Sequence, residues 1–549
     1  MKKTAKKLLS LAVLAGLALP AGAMAAEADL MKRIEELEAK LKKVESKSLG
    51  KWLSISGDYR FRYDYLSGDV AQHVNGMAAL PVFQGMINGT PFNPAAFSNP
   101  AVPLTFANQA EMNAVMGGVP AAQQFALMQM LGVVAPATSV KNESLYTNRF
   151  GLNLKAKATQ DVTFTARLLM YKAAGAQDDA VVRNDNGTTY SFDRSGLFDG
   201  TIGHVPGDNK LAVDRVYATW NNIADQPIWF SIGRRPSTGG VPSHLKQNTE
   251  KPGNSGVPSL LVDYAFDGVT VGYAPDIEAL PGAFVKLCYG RGFSSGLQDD
   301  DNNDKLKNTD MMGINLVPYE TDALRVELQY NHAMDIFSNP IMLSGPLQQS
   351  FTSVQSNLGN IDWYGIDLMG KVANFNWFVA GAMSKTDPNG NTLKFGYTNE
   401  PTPQPFDTGY GLLYTNKKES TEGYAFYLGG RYDIESSGTK LGLEYNHGTE
   451  NWITFTPAAD DMWTSKLGTR GDVYEAYVIQ ELPLEPISSH LSKAFFKIGY
   501  QYYDFKYTGS NSWLGAPIKI SDVDSSPVAQ LTAPLKNAQD LYVTFEVHF

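Results

Sequence analysis

A side-chain alternation of period two recurs along this chain and limits what it can fold into. In SISGDYRFRYDY, residues 54–65, Ile55, Tyr59, Phe61, Tyr63 and Tyr65 share one face, and Asp58, Arg60, Arg62 and Asp64 share the other. Successive side chains of an extended chain point to opposite sides, so the pattern predicts a strand with one apolar and one charged face. Sixteen such segments are predicted: 52–65, 146–158, 161–172, 211–221, 228–235, 259–274, 283–292, 310–318, 324–334, 361–372, 376–385, 423–434, 440–450, 472–480, 494–507 and 538–549. The last, LYVTFEVHF, sets Leu541, Val543, Phe545, Val547 and Phe549 on one face.

The connections between these segments alternate between short turns, such as TQD at 159–161 and ESSGT at 435–439, and long stretches. Short turns on one side and long loops on the other predict an all-β transmembrane antiparallel barrel. One place tests the count. LLVDYAFDGVTVGY, residues 260–273, resembles a hairpin across Asp267-Gly268. Splitting it there would reverse the loop alternation downstream. It is therefore read as one strand carrying a β-bulge at Asp-Gly.

The start of the chain gives a compartment. Lys2, Lys3, Lys6 and Lys7 precede an apolar run from Leu8 to Leu19, and Ala23-Met24-Ala25 fits a signal-peptidase site, so residues 1–25 are read as a signal peptide. Leu30, Ile34, Leu37, Leu41 and Val44 then follow coiled-coil spacing, predicting a periplasmic helix over 26–49 ahead of a barrel over 50–549. That helix is either a solvated amphipathic segment or part of a trimeric bundle. The single cysteine, Cys288, excludes an intramolecular disulfide and any C-x-x-C-H haem attachment. A net charge of -10 argues against nucleic acid as partner.

On the signal peptide, the SGDYRFRYDY strand, the loop segregation and the terminal VTFEVHF, the chain resembles the sixteen-stranded bacterial outer-membrane porins. More narrowly it resembles a porin-like family of metal-reducing delta-proteobacteria. The resemblance implies an outer-membrane location with both termini in the periplasm, lipid around the barrel, a homotrimer, and passage of ions and small solutes. About sixteen strands also leave room for an aqueous channel.

If the polar face lines water, the first five strands contribute Arg60, Arg62, Arg149, Lys155, Lys157, Arg167, Arg215 and Arg235 against Asp58 and Asp64. From residue 324 onward the count is Arg325, Lys371, Arg431 and Lys497 against Glu327, Asp367, Asp433, Glu444, Glu475 and Glu546. A basic wall facing a mildly acidic one predicts a weak anion preference. The competing reading is wall charges without selectivity.

The loop 66–145 is the least loop-like segment. Between Val70 and Val140 its only Asp, Glu, Lys or Arg is Glu111, and it carries Met77, Met86, Met112, Met116, Met128 and Met130. It is predicted to form a constriction or plug, with a subunit contact as the alternative.

Enzyme signals are weak, and no catalytic residue, cofactor or metal is predicted. GFSSG at 292–296 matches G-x-S-x-G around Ser294 without a nearby His. DDDNND at 299–304 resembles a calcium loop but has Asp304 where Gly is needed. The leading expectation is a porin. Its alternative is a largely plugged barrel serving as sheath for a partner such as a multihaem electron-transfer protein.

Overall fold

The computed structural model describes residues 52–174, 206, 210–236, 244–249, 260–263, 265–295, 306–338, 351–354, 356–397, 405–415, 417–456, 461–484 and 492–549. The expected signal peptide, the coiled-coil helix and the DDDNND run lie outside them.

Sixteen strands close into one antiparallel barrel. They are β1 (Leu53–Val70), β2 (Thr138–Lys157), β3 (Val162–Ala173), β4 (Ala212–Trp220), β5 (Ile228–Pro236), β6 (Ala265–Tyr273), β7 (Phe284–Phe293) and β8 (Thr309–Glu320). The second half comprises β9 (Arg325–Phe337), β10 (Asn357–Val372), β11 (Phe375–Pro388), β12 (Glu422–Ile434), β13 (Thr439–Gly448), β14 (Gly471–Glu481), β15 (Lys493–Phe505) and β16 (Leu535–His548). Each strand pairs with its neighbours in sequence, and β1 pairs with β16 through Tyr59 opposite Val547 and Phe61 opposite Phe545. Closure leaves no unpaired barrel edge, which a bilayer requires.

The connections segregate as predicted. Short ones at 158–161, 221–227, 274–283, 321–324, 373–374, 435–438 and 482–492 lie at one end. Long ones at 71–137, 174–211, 237–264, 294–308, 338–356, 389–421, 449–470 and 506–534 lie at the other.

Burial is inverted relative to a water-soluble fold. Outward positions such as Ile55, Leu287, Ile366, Phe426, Leu443 and Ile498 are exposed, whereas inward Arg62, Glu327, Asp367, Asp540 and Thr544 are buried. Apolar side chains outside and polar ones inside suit a barrel surrounded by hydrocarbon. Trp52, Trp220 and Tyr500 stand exposed on the outer surface, Trp52 and Trp220 at strand ends as an interfacial girdle would have them.

Two boundaries differ from the sequence reading. The ladder of Leu66–Val70 against residues 138–142 extends the barrel into the stretch taken as loop, so the connection is 71–137. The second concerns 259–274. Asp267 and Gly268 keep continuous register with both β5 and β7, so the segment is one strand, as expected, without the predicted bulge. The apolar residues ahead of it, Leu260, Leu261 and Val262, leave the sheet and are buried elsewhere.

The Met-rich connection 71–137 folds into three helices: α1 (Gly76–Met86), α2 (Gln109–Gly117) and α3 (Ala121–Met130). Asn75 caps α1 by accepting from the Met77 and Ala78 amides, and Asn108 caps α2 by accepting from Glu111. Both Glu111 carboxylate oxygens are occupied by the amides of Phe92 and Ala107. The helices rest on the sixth and eighth long connections. Gln109 exchanges two hydrogen bonds with the Asp407 backbone, the Gly76 amide donates to the Gln530 carbonyl, and Phe83 stacks on Phe406. This connection is a cap over the long-loop end. Among the described residues, parts of the third, seventh and eighth connections pack inside the barrel wall.

Candidate functional site: two unlike halves of the lumen

The half of the lumen walled by β10–β16 is filled. The third connection folds a tight turn at 244–249, in which the Thr249 amide donates to the His244 carbonyl. Cations from the wall hold its carbonyls. Arg431 Nη1 donates to Leu245 O at 2.7 Å, Lys497 Nζ to Lys246 O at 3.1 Å, and Lys493 to Asn248 O. Asn248 also donates to Glu481 at 2.8 Å and accepts from Lys440 at 2.7 Å, both beside the short turns. The tip of this connection therefore reaches the opposite end of the barrel from its roots.

Lys246 sits 2.6 Å from Glu475 and 3.6 Å from Asp461. The seventh connection adds a second buried lysine, Lys466, which bridges Glu475 at 2.5 Å and Glu444. Gln501 donates to Asp461 and Glu475, and Tyr542 donates to Glu475 at 2.7 Å. A lattice of this kind stands because every buried charge has an opposite partner. Removing one member costs about 3–5 kcal/mol.

Aromatic side chains complete the filling. Trp363, on the wall, donates from its indole to Ile453 O, and Trp452 and Trp513 donate to Leu467 O and Phe337 O. Thr454 donates to the third connection at Leu260 O, and Val262 bridges Phe455. Gly365 admits this packing, because a Cβ there would lie 2.9 Å from the Leu261 side chain.

The half walled by β2–β5 keeps its charges reachable. Arg60 and Arg149 are opposite each other across β1 and β2, and Arg167 and Arg215 across β3 and β4. Arg167 donates to Asp58 at 2.6 Å, Arg149 lies 3.6 Å from the same carboxylate, and Arg215 lies 3.0 Å from Asp214. Arg235 stands over the Tyr217 and Trp229 rings. Exposure rises along this wall: the Arg149 and Arg167 side chains are 14% and 13% exposed, Arg215 is 32% exposed, and Lys155 and Lys157 are open.

The residues expected on the wall thus separate into two groups. Arg149, Lys155, Lys157, Arg167, Arg215 and Arg235 share the basic side. Arg62 does not belong with them: fully buried, it pairs with Asp64 at 2.6 Å and Asp540 at 2.8 Å and stacks over Tyr542. Arg60 is likewise buried, bonded to Tyr171. Glu327 accepts from Asn315 and Arg325, Glu444 from Tyr427 and Lys466, and Asp433 binds Arg431. Asp367 is fully buried opposite Glu327. On the facing wall Glu327, Asp367 and Glu444 are thus buried, while Asp433 keeps 13% of its side chain exposed beside Arg431. Ser294 is an exposed residue just beyond β7.

A family profile described as "Protein of unknown function (DUF3373)" matches residues 139–549. The chain belongs to this DUF3373 family. No match exists among the curated proteins. Among solved structures, the chain is similar to OprB of Pseudomonas putida at 9% identity and a TM-score of 0.40, covering 93% of this chain and 97% of that one. It is also similar to OmpF of Salmonella typhi, in complex with daunomycin, at 9% identity and a TM-score of 0.36, covering 90% and 97%. The trimer form of OmpT of Vibrio cholerae gives 10% identity and a TM-score of 0.35, covering 91% and 100%.

In this DUF3373 barrel the residues that sequence reasoning missed are those of the inward segments: Lys246, Asn248, Trp452, Asp461 and Lys466. For Trp452 and Lys466 the signal lay in composition. NWITFT at 451–456 and MWTSKLGTR at 462–470 carry more aromatic and apolar residues than a solvated loop keeps in water.

Proposed function

We propose that the protein is an outer-membrane porin in which small anions and hydrophilic solutes follow the basic wall of β2–β5 past a filled half-lumen. The observation that carries this reading is the contrast in accessibility. Arg149, Arg167, Arg215, Lys155 and Lys157 keep contact with open space, whereas the Glu327, Glu444 and Glu475 carboxylates are buried against cations or amides. The excess of positive over negative side chains along the remaining path raises the local concentration of anions. Its setting is a trimer in the outer membrane, with the short turns facing the periplasm. The function is passive diffusion without a catalytic step.

The measurement is the reversal potential of purified protein in a planar bilayer under a salt gradient. Anion preference is the expected sign, and cation preference rejects the basic-wall path. A second reading is supported by the filling itself, with Arg62, Trp363, Trp452 and Asp540 wholly buried inside the barrel. In that reading the barrel is a sheath for an electron-transfer partner. A bilayer that stays silent after verified insertion favours it over the porin.

A further inference from the structure

We propose that the space beneath the cap is a binding site for one uncharged, apolar molecule of aromatic or short-chain aliphatic type. The inference is independent of the pore reading. The cavity has a volume of about 340 Å³ and opens partly to solvent between the first, sixth and eighth long connections. Met77, Met86, Met112, Met116 and Met128 line it, and Phe83 and Phe406 add stacked rings. This volume, at the small end of the range for ligand pockets, suits one or two fused rings or a short chain, and unbranched thioethers adapt to ligands of differing shape.

The charge of the ligand follows from what the lining's polar groups already do. Asp407 accepts from Thr392 Oγ1 at 2.6 Å and from the Gly409 amide at 2.8 Å, with Lys394 4.0 Å away, so its carboxylate is hydrogen-bonded and paired within its own loop. Gln109 is locked to the Asp407 backbone. Gln124 donates to the carbonyls of Met116 and Val119, and the Tyr410 hydroxyl donates to Ala529 O. An anionic solute entering here would lose its hydration and meet the Asp407 carboxylate without gaining a counter-charge, which excludes it, and the one lining carboxylate is already taken up by its own loop. An apolar one loses only water contact.

The test uses the full chain in nanodiscs, titrated with N-phenyl-1-naphthylamine, with the signal of empty discs subtracted. One saturable site is expected, at least tenfold weaker in Leu104→Trp, which fills the cavity, and unchanged in Met130→Trp, which alters an exposed residue outside it. Met128→Gln, which places an amide in the lining, is also expected to weaken binding and serves if Leu104→Trp does not fold. An anionic naphthalenesulfonate is expected to bind at least tenfold more weakly than the neutral dye. Absence of saturation above empty discs, wild-type affinity in both cavity variants, or equal binding of the sulfonate would each overturn the proposal.

Discussion

Arg62 and Arg215 are both inward arginines on barrel strands, yet they occupy opposite situations. Arg62 is sealed between Asp64, Asp540 and the Tyr542 ring, while Arg215 pairs with Asp214 and keeps about a third of its side chain open. The difference lies in what covers them: the third and seventh connections lie over β10–β16 and the adjoining β1, and leave part of the β2–β5 wall accessible. A charged side chain on a barrel wall therefore acts as a selector or as a fastener depending on the loop opposite.

The contrast breaks most readily at the fastener. Lys466→Met leaves Glu444 and Glu475 short of a shared cation, at a cost of about 3–5 kcal/mol. The expected outcome is release of the seventh connection and a several-fold rise in single-channel conductance. Unchanged conductance together with unchanged thermal stability would count against the filled half being held by charge.

On the open half, the double substitution Arg167→Glu and Arg215→Glu is expected to reverse the ion preference, read as a change in sign of the reversal potential. Arg62→Met should preserve that sign while lowering stability, since its cation faces no open path. Equal effects from the two walls would erase the distinction between them.

Smaller changes sharpen the contrast. Trp363→Phe removes the indole hydrogen bond to Ile453 O and leaves that carbonyl buried, which should lower stability by about 1–3 kcal/mol in a denaturant titration. His73, at the root of the cap, is held below the ordinary histidine range by burial, with the Ala71 carbonyl partly offsetting it. The opened cap therefore binds more protons than the closed one once pH falls below about 6.5. Stability is present above that value and is lost as pH falls toward the lowered pKa. Hydrogen exchange over 71–137, corrected for intrinsic rates, should quicken between pH 7 and 5 in the native chain and not in His73→Gln.

How much of this was legible in the sequence follows from which periodicity each part obeys. The barrel was legible because lipid outside and polar groups inside impose period two on every strand, from Asp58–Tyr65 to Leu541–Phe549. The segregated connections gave the strand count, and Asp267-Gly268 was correctly kept within one strand. The filling was not legible, because the inward segments obey no period. Lys246 finds Glu475 more than two hundred residues away and Lys466 finds Glu444 22 residues back, and only a folded register brings Glu475 to both lysines. The burial of Arg62 was hidden for the same reason: strand parity gives the side on which a residue lies, not what covers it.

The path of the third connection has a consequence for how the two membrane faces communicate. Its roots are at the long-loop end, yet Asn248 is tied to Glu481, Lys440 and Lys493 beside the short turns. A molecule docking around those three residues would touch the tip of a peptide anchored on the far side of the bilayer. A crosslinker or spin label at that tip would report, from one compartment, on loop position in the other.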